Sequence, residues 1–219
     1  MILATVSDIH GHWPALSAIL DAIDNEGIHT IVNAGDCVGG HPWPNEVICC
    51  LRQREIVTAQ GEWDYRAAKF LRKERALRAR MSAQEFEALE TAFGACGVEN
   101  IEYLRALRRV QTLLIDGVRI LVCHGTLTSH SESLRDSEDD ARYARQREIE
   151  PADIIVTGAT HVPHHRRVNG TLFVNPGAGG GTGQNEGLAN FAIISTEEEP
   201  WSVEFRQAPI GGSAHEPQA

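Results

Sequence analysis

The sequence lacks any apolar run that approaches the roughly 20 residues required by a membrane-spanning helix. It also has little positive charge, because 20 lysines and arginines stand against 30 aspartates and glutamates, leaving a formal net charge of −10. General nucleic-acid binders and membrane-surface binders need basic patches, so this balance argues against both classes. A local basic groove is still compatible with it.

Cysteine is also scarce. The five cysteines stand at positions 37, 49, 50, 96 and 123, and none of them forms a CxxC pair. An odd number without paired spacing argues against a disulfide framework. The opening segment "MILATVSDIHG" is too short, and is interrupted by charge too early, to be a signal peptide. We therefore expect a reducing, cytoplasmic environment and no membrane partner, whereas the oligomeric state is left open.

The residues that are present suit one globular domain, since 219 residues can bury a sizeable core. In the first third of the chain, the β-branched runs "ILATVSD", "HTIVNAGD" and "EIVTAQG" alternate with the helical stretches "WPALSAILDAID" and "NEVICCLRQR". This β-α-β-α-β order predicts the α/β fold class. Ligands of such sheets bind beyond the carboxyl ends of the strands.

The middle of the chain interrupts this order. Residues 65–107 predict a helical excursion on the same domain, and its basic run at residues 72–80 is either a solvated helix face or a substrate-guiding patch. The segments "QTLLIDGVRILVCHG", "ADIIVTGATH", "GTLFVNPGAG", "NFAIIST" and "WSVEFRQ" are then predicted as strands, and "SESLRDSEDDARYARQREIE" as a helix. We expect one domain over residues 1–209 and a disordered tail over residues 210–219.

Side chains that can bind metals follow five of the predicted strands. They are Asp8, His10 and His12 in "SDIHGH", Asp36 in "GDCVGG", Glu62 and Asp64 in "GEWD", His124 in "CHG", and His161 in "GATH". One such group would fit a polar loop as well as a ligand, but the sheet brings all the strand ends together. Mixed imidazole and carboxylate ligands suit divalent ions such as Mn, Fe, Zn, Co or Ni. The pattern therefore predicts a metal site.

These motifs resemble the calcineurin-like metallophosphoesterases, whose pattern is D-x-H, G-D, G-N-x-D, H-G and G-H-T-H in this order. The matching segments are "SDIHG", "AGDCVGG", "QGEWD", "CHGT" and "GATH". The segments "GDCVGGHPWPNEVI" and "VNPGAGGG" are similar to a bacterial and archaeal phosphodiesterase-like branch of that family. The resemblance implies a four-layer α/β/β/α sandwich with a helical insertion.

The resemblance also implies two divalent metal ions, with Mn expected before Fe, Zn, Co or Ni, around a bridging Asp36. The first site would be formed by Asp8, His10, Asp36 and His161, all of which are present. The second site would use Asp36 and His124 together with an asparagine and a further histidine, which are replaced by Glu62 and Ala159. Glu62 either binds the second ion as an anionic ligand or faces solvent beside a weak or vacant site.

Three further residues are candidates for substrate binding. Trp63 stands where many members of the family have a histidine, and it either stacks on a base or aryl group or simply packs beside the site. His12 and His41 lie in loops at the same face and either contact phosphate or have no direct role. His164 and His165 could supply the missing imidazole, but we expect both at the surface.

The activity implied by the resemblance is hydrolysis of a small phosphodiester, with phosphomonoesters or nucleotides as other substrates. A hydroxide that bridges two metal ions would attack phosphorus in line, with Asp36 and His124 as the catalytic residues. The departures at Glu62 and Ala159 keep a second class open, a degenerate member that binds metal or nucleotide as a regulatory protein. A single-metal hydrolase of carboxylic esters is a third class.

Overall fold

The computed structural model describes residues 1–181 and 187–211, which contain two mixed five-stranded sheets. In spatial order, the first sheet contains β10 (Ser202–Pro209), β9 (Leu188–Ser195), β1 (Ile2–Val6), β2 (Ile31–Asn33) and β3 (Val57–Thr58). The second contains β4 (Val110–Ile115), β5 (Val118–Cys123), β6 (Ile154–Val156), β8 (Thr171–Asn175) and β7 (His164–Val168).

The helices lie on the outer faces of both sheets. The first sheet is covered by α1 (Trp13–Asn25), α2 (Pro44–Gln53), α3 (Glu62–Ala68), α4 (Phe70–Arg80), α5 (Ala83–Ala95) and α6 (Val98–Ala106), and the second by α7 (Asp140–Ile149). Helices α3 to α6 are the helical excursion. Helix α5 begins with a capping box in which Ser82 Oγ accepts from the Glu85 N–H at 3.2 Å.

The core has three apolar layers because successive side chains of a strand point to opposite faces of its sheet. In β1, Leu3 is buried between the two sheets, whereas Ala4 is buried against the helices. In β5, Val122 is buried between the sheets and Leu121 is buried beneath α7. This arrangement confirms the predicted four-layer α/β/β/α sandwich.

The strands that carry the predicted ligands run in the same direction within each sheet. Strand β2 pairs in parallel with both β1 and β3, and β6 pairs in parallel with both β5 and β8. The two sheets are joined at their carboxyl edges, since the Asp8 carbonyl accepts from Gly180 N–H at 2.9 Å and His124 Nδ1 lies 3.0 Å from the Ala34 carbonyl. The polar loops that follow these strands therefore meet.

Two sequence-based predictions are wrong. The charged segment 131–150 becomes helical only at Asp140, because the Arg166 guanidinium binds the carbonyls of Asp136 and Glu138 and holds the preceding stretch in a turn. His164 is not at the surface: it is buried in β7, and its Nε2 lies 3.3 Å from Tyr143 Oη. That contact lies on the outer side of the second sheet, so His164 does not replace the missing imidazole.

The predicted disordered tail is described only in part. Its residues 212–219 lie outside the described part of the chain. Ile210 packs against the apolar core, and its N–H donates to the Gly187 carbonyl at 2.7 Å. None of the described helices is both long enough and apolar enough to cross a bilayer. His165 is exposed, and its ring centroid lies 5.7 Å from that of Phe205.

Candidate metal centre

The two sheets each supply part of one cluster of carboxylates and imidazoles. The loops after β1 and β2 of the first sheet carry Asp8, His10 and Asp36. The loops after β5 and β6 of the second sheet carry His124 and His161. The cluster contains two overlapping groups of three potential ligands, one formed by Asp8, His10 and His161 and the other by Asp8, Asp36 and His124.

Four of these five residues have the left-handed backbone conformation that side chains other than glycine rarely adopt. The φ angles are 55° at Asp8, 52° at His10, 55° at Asp36 and 60° at His161. Such conformations cost about 1–3 kcal/mol each and persist where the surrounding structure imposes them, often at functional sites. They turn each loop sharply at the strand end, which aims the side chains at a common point.

The first group is compact. His161 Nε2 lies 3.2 Å from Asp8 Oδ1 and 3.2 Å from His10 Nε2. Two ligand atoms about 2.0–2.2 Å from one ion, at angles of about 90–110°, would be separated by about 3.0–3.5 Å. Two of the three separations in this group therefore match those of atoms that bind the same divalent ion, and the third, 3.9 Å between His10 Nε2 and Asp8 Oδ1, is longer.

The second group is linked to the first by both carboxylates. His124 Nε2 lies 3.1 Å from Asp36 Oδ2 and 3.8 Å from Asp8 Oδ1. Asp36 Oδ2 also lies 3.9 Å from His10 Nε2, so this oxygen stands between the imidazoles of the two groups. Asp8 is the residue that belongs to both groups, and Asp36 approaches the first group through this contact, so the bridging role of Asp36 stays a prediction.

A further observation indicates that these residues suit a divalent ion. Asp8 Oδ1 is buried, and no donor of the described residues reaches it with hydrogen-bond geometry, although His161 Nε2 is close. A buried carboxylate oxygen without a partner is costly, and binding a cation removes that cost. The donor set of carboxylate oxygens and imidazole nitrogens is the one that Mn, Fe, Zn, Co and Ni accept.

The ionisable groups of the cluster shift one another's pKa values. Burial disfavours the ionised form of Asp8, but the imidazole of His124 and the close contact of His161 hold the pKa of Asp8 below its ordinary value. Burial alone would lower the pKa of His124, but Asp36 and Asp8 raise it to about 10. Without a metal, the proton on His124 therefore supplies the positive charge that the two carboxylates require.

The ring of His124 is oriented by a contact outside the cluster. Its Nδ1 lies 3.0 Å from the carbonyl of Ala34, which can only accept, so Nδ1 carries a proton and donates. Nε2 is thereby directed at Asp36 and is the nitrogen that would bind an ion after losing its proton. An imidazole held in this way through its second nitrogen is the usual support for a metal ligand.

Asp64 braces the loop that carries Asp36. Its carboxylate is fully buried and accepts from four backbone N–H groups, those of Asp36 (3.0 Å), Cys37 (2.8 Å), Val38 (3.3 Å) and Gly61 (2.9 Å). Burial and the charge of Asp36 raise the pKa of Asp64 to about 6. The sequence places this acid at a strand end but does not reveal that it binds backbone rather than metal.

Asn175 braces a ligand loop of the second sheet in the same way, and the sequence-based predictions did not select it. Its Nδ2 donates to the Gly158 carbonyl at 2.6 Å and to Thr160 Oγ1 at 2.9 Å, which fixes the loop that ends in His161. Gly158 itself cannot carry a side chain, because a Cβ there would lie 2.0 Å from Ser7 Oγ and 2.8 Å from Asp8 Oδ2. The asparagine of "VNPG" was the available signal.

Glu62 is the predicted ligand that the structure does not bring into the cluster. Its Oε1 accepts from Arg66 Nη2 at 2.6 Å, one helical turn away in α3, and it belongs to neither ligand group. Burial raises the pKa of Glu62 and Arg66 opposes that shift. The Ala159 position is occupied by backbone instead of imidazole, since the Ala159 N–H donates to Asp8 Oδ2 at 3.2 Å.

The predicted substrate-binding residues all lie at the rim of the cluster. Trp63 packs against the apolar core and on Gly39, and its backbone N–H donates to Asp36 Oδ1 at 2.8 Å. His12 and His41 stack on each other with centroids 3.9 Å apart, and burial together with His12 lowers the pKa of His41 to about 4. His12 Nδ1 also lies 2.8 Å from the carbonyl of Gly180. Their contact with a substrate stays a prediction.

We expect metal affinity to rise with pH because the ion must displace the His124 proton. With a pKa of about 10 in the metal-free protein, His124 is protonated throughout the neutral range. The apparent affinity for Mn²⁺ should therefore increase about tenfold per pH unit between about pH 6 and 8.5. Titration calorimetry at several pH values measures this slope. The slope should persist in the control variant His29→Ala, which removes an exposed imidazole. A pH-independent affinity in the wild type would contradict the assignment of His124 as a ligand that loses its proton to the ion.

Comparisons with known proteins identify the family and the fold. A family model described as the calcineurin-like phosphoesterase superfamily domain matches residues 1–199. The uncharacterized protein MJ0912 of Methanocaldococcus jannaschii is 28% identical over 189 residues, which cover 80% of this chain and 69% of that protein.

Two solved structures are similar in fold. The hypothetical protein PH1004 from Pyrococcus horikoshii has a TM-score of 0.82 at 21% identity, covering 96% of this chain and 88% of that one. A metallophosphoesterase from Sphaerobacter thermophilus has a TM-score of 0.75 at 22% identity, covering 96% and 90%. Because the family model matches most of its length, the chain belongs to the calcineurin-like phosphoesterase superfamily.

Proposed function

We propose that the protein is a metal-dependent hydrolase of phosphodiesters that uses two divalent ions, preferably Mn²⁺. One observation carries the proposal: Asp8 and Asp36 each place one oxygen within 4 Å of imidazole nitrogens from both ligand groups. Two carboxylates shared in this way are what a pair of neighbouring cations requires. Phosphomonoesters and nucleotides are further substrates of the same chemistry, and the cytoplasm is the proposed location.

The residues have distinct roles in this proposal. Asp8, His10 and His161 hold one ion, and Asp36 and His124 hold the other, with Asp36 facing both. When bound, such ions polarise a phosphoryl oxygen and lower the pKa of water to near neutrality. The protein contributes the fixed orientation of the ligands and a buried setting in which positive charge acts strongly on the phosphate.

No nucleophilic side chain is required by this chemistry. Burial raises the pKa of Cys123 to about 12 and that of Cys37 well above its ordinary value. Both thiols are therefore protonated at neutral pH and weak as nucleophiles. Their position beside His124 and Asp36 is consistent with packing alone.

The direct test is hydrolysis of bis(p-nitrophenyl) phosphate by protein that has been stripped of metal. We expect release of p-nitrophenol only after Mn²⁺ is added, and loss of that activity with a chelator. p-Nitrophenyl acetate serves as the control substrate. Hydrolysis of the acetate in preference to the phosphodiester would favour the carboxylic-ester hydrolase instead.

The part played by Glu62 is tested by its removal. If Glu62 leaves Arg66 to bind the second ion, Glu62→Ala should weaken binding of that ion about tenfold or more and leave the first unchanged. Equilibrium dialysis with Mn²⁺ measures affinity and stoichiometry together. Arg66→Ala is the matched variant, since it frees Glu62 and should strengthen the second site. Unchanged affinity and stoichiometry in Glu62→Ala would exclude Glu62 as a ligand.

A second candidate function rests on the departures at the second site. Ala159 offers no imidazole, and Arg66 neutralises Glu62, so the second ion has fewer ligands than the family pattern supplies. A protein of this kind could bind one metal and a nucleotide as a regulatory module. It would bind Mn²⁺ tightly and show negligible turnover at saturating Mn²⁺, which the same assay detects.

A further inference from the structure

A groove of about 520 Å³ lies beside the metal centre, between the helical excursion and the loop that follows β5. We call it the basic groove. The residues that define it are Tyr65, Arg66, Lys73, Arg80, Arg109 and His130. The groove contains four of the 20 basic residues in a chain whose net charge is −10. The charge of the basic groove is therefore positive, whereas the net charge of the whole molecule is negative.

Most of this positive charge is not neutralised by the protein. Among the described residues, no carboxylate forms a salt bridge with Lys73, Arg80 or Arg109, whereas other arginines in the same helical excursion, such as Arg78, are paired with glutamates. Arg66 pairs with Glu62, which is the acidic residue in the wall of the groove. Three cations that face one concave surface without a carboxylate partner favour an anionic ligand.

The groove also has polar and aromatic groups arranged for a ligand. His130 Nε2 is buried and has no hydrogen-bond partner among the described residues. The ring of His130 stacks on Tyr65 with centroids 5.0 Å apart and an interplanar angle of 21°. Lys73 donates to Tyr65 Oη at 2.8 Å, which lowers the pKa of Tyr65 and fixes the ammonium group over the groove. The stacked rings and the ammonium together form one wall of the groove.

Both walls of the basic groove continue into the metal-ligand loops. On one side, Glu62 lines the groove, and the next residue, Trp63, donates its N–H to Asp36 Oδ1. On the other side, the loop that carries His130 follows His124 and folds closely over Gly125, where a Cβ would lie 2.8 Å from the His130 carbonyl. A molecule held at the metals can therefore extend into the basic groove.

We propose that the basic groove binds a second phosphate of the substrate, so that the preferred substrates are nucleotide phosphodiesters that carry another phosphate on the sugar. The assignment rests on the proposed function, because the ester to be cleaved is held at the metal centre. The arginine and lysine side chains donate charge-assisted hydrogen bonds to the second phosphate, and the wall formed by Tyr65 and His130 supports the sugar and base. The basic run of α4 thus contributes to substrate recognition.

The experiment compares two esters that differ by one phosphate: thymidine 5′-(p-nitrophenyl phosphate), with and without a 3′-phosphate. In the wild type with Mn²⁺, the 3′-phosphate should lower KM about tenfold. The triple variant Lys73→Ala, Arg80→Ala, Arg109→Ala should lose this preference while keeping its kcat for the ester without the 3′-phosphate. Arg75→Ala is the matched control, since Arg75 is an exposed arginine of α4 outside the groove and should behave as the wild type.

A binding measurement separates this proposal from the proposed function. Thymidine 3′,5′-bisphosphate should bind the metal-free wild type and Arg75→Ala about tenfold more tightly than the triple variant in titration calorimetry. Equal KM values for the two esters in the wild type would overturn the groove assignment and leave the hydrolase intact. Unchanged bisphosphate binding in the triple variant would also overturn it. No turnover of either ester by the wild type would overturn the proposed function itself.

Discussion

Asp36→Asn is expected to abolish Mn²⁺-dependent hydrolysis, with kcat reduced about 1,000-fold or more. Asp36 Oδ2 faces His124 Nε2 at 3.1 Å and His10 Nε2 at 3.9 Å, so, like Asp8 Oδ1, it is placed to contact both of the proposed metal sites. Asparagine removes the negative charge there. A loss of about 4 kcal/mol of charge stabilisation in the transition state corresponds to this change in rate. Steady-state hydrolysis of bis(p-nitrophenyl) phosphate measures it.

Asparagine at position 36 should preserve the local fold of the wild type. Asp36 Oδ1 accepts the Trp63 N–H at 2.8 Å, and the amide oxygen of asparagine can accept the same bond. The matched control is Asp21→Asn, an exposed aspartate of α1, which should leave kcat unchanged. If Asp36→Asn retained more than a tenth of the activity while folded, Asp36 would not be the bridging ligand.

The largest expected loss of stability follows Asp64→Ala. Four backbone N–H groups would lose their acceptor in a fully buried position. An unsatisfied buried donor costs about 1–3 kcal/mol, and partial rearrangement recovers some of that, so the free energy of unfolding should fall by about 3–5 kcal/mol. That is a large part of the total stability of a domain. Urea unfolding of the metal-free protein measures the change.

The same variant should also weaken Mn²⁺ binding, because the released loop is the one that positions Asp36. Asp64→Asn should fall between the wild type and Asp64→Ala, since it keeps one oxygen that can accept from two of the four N–H groups. Asp21→Ala is the control for removal of an exposed carboxylate. A decrease below about 1 kcal/mol in Asp64→Ala would mean that water replaces the carboxylate and that the loop does not depend on it.

The fold and most of the ligand cluster could be predicted from the sequence for a simple geometric reason. Asp8, Asp36, His124 and His161 each stand at, or a few residues beyond, the end of a buried strand, and parallel strands bring such positions together. The direction of the Glu62 side chain could not be predicted in this way. It depends on Arg66, which is a neighbour of Glu62 only once α3 has formed.

Strand β7 could have been predicted from the turn that follows it, although its own sequence does not look like a strand. Its sequence "HHRRV" is polar and lacks the apolar alternation that identifies a strand. However, Asn169 and Gly170 have φ angles of 50° and 85° and form the tight turn between β7 and β8. An Asn-Gly pair between two short segments is a strong indication of a hairpin. The buried position of His164 follows from that pairing and not from its own polarity.

The division of the ligands between two sheets has a consequence for how the protein is assembled. Asp8, His10 and Asp36 belong to one sheet and His124 and His161 to the other, so neither half of the sandwich contains a complete ligand group. An ion bound by both halves acts as a cross-link across the apolar layer between them. The free energy of metal binding would then also hold the two sheets together. The ions required by the proposed hydrolase would therefore favour the native state over the unfolded chain.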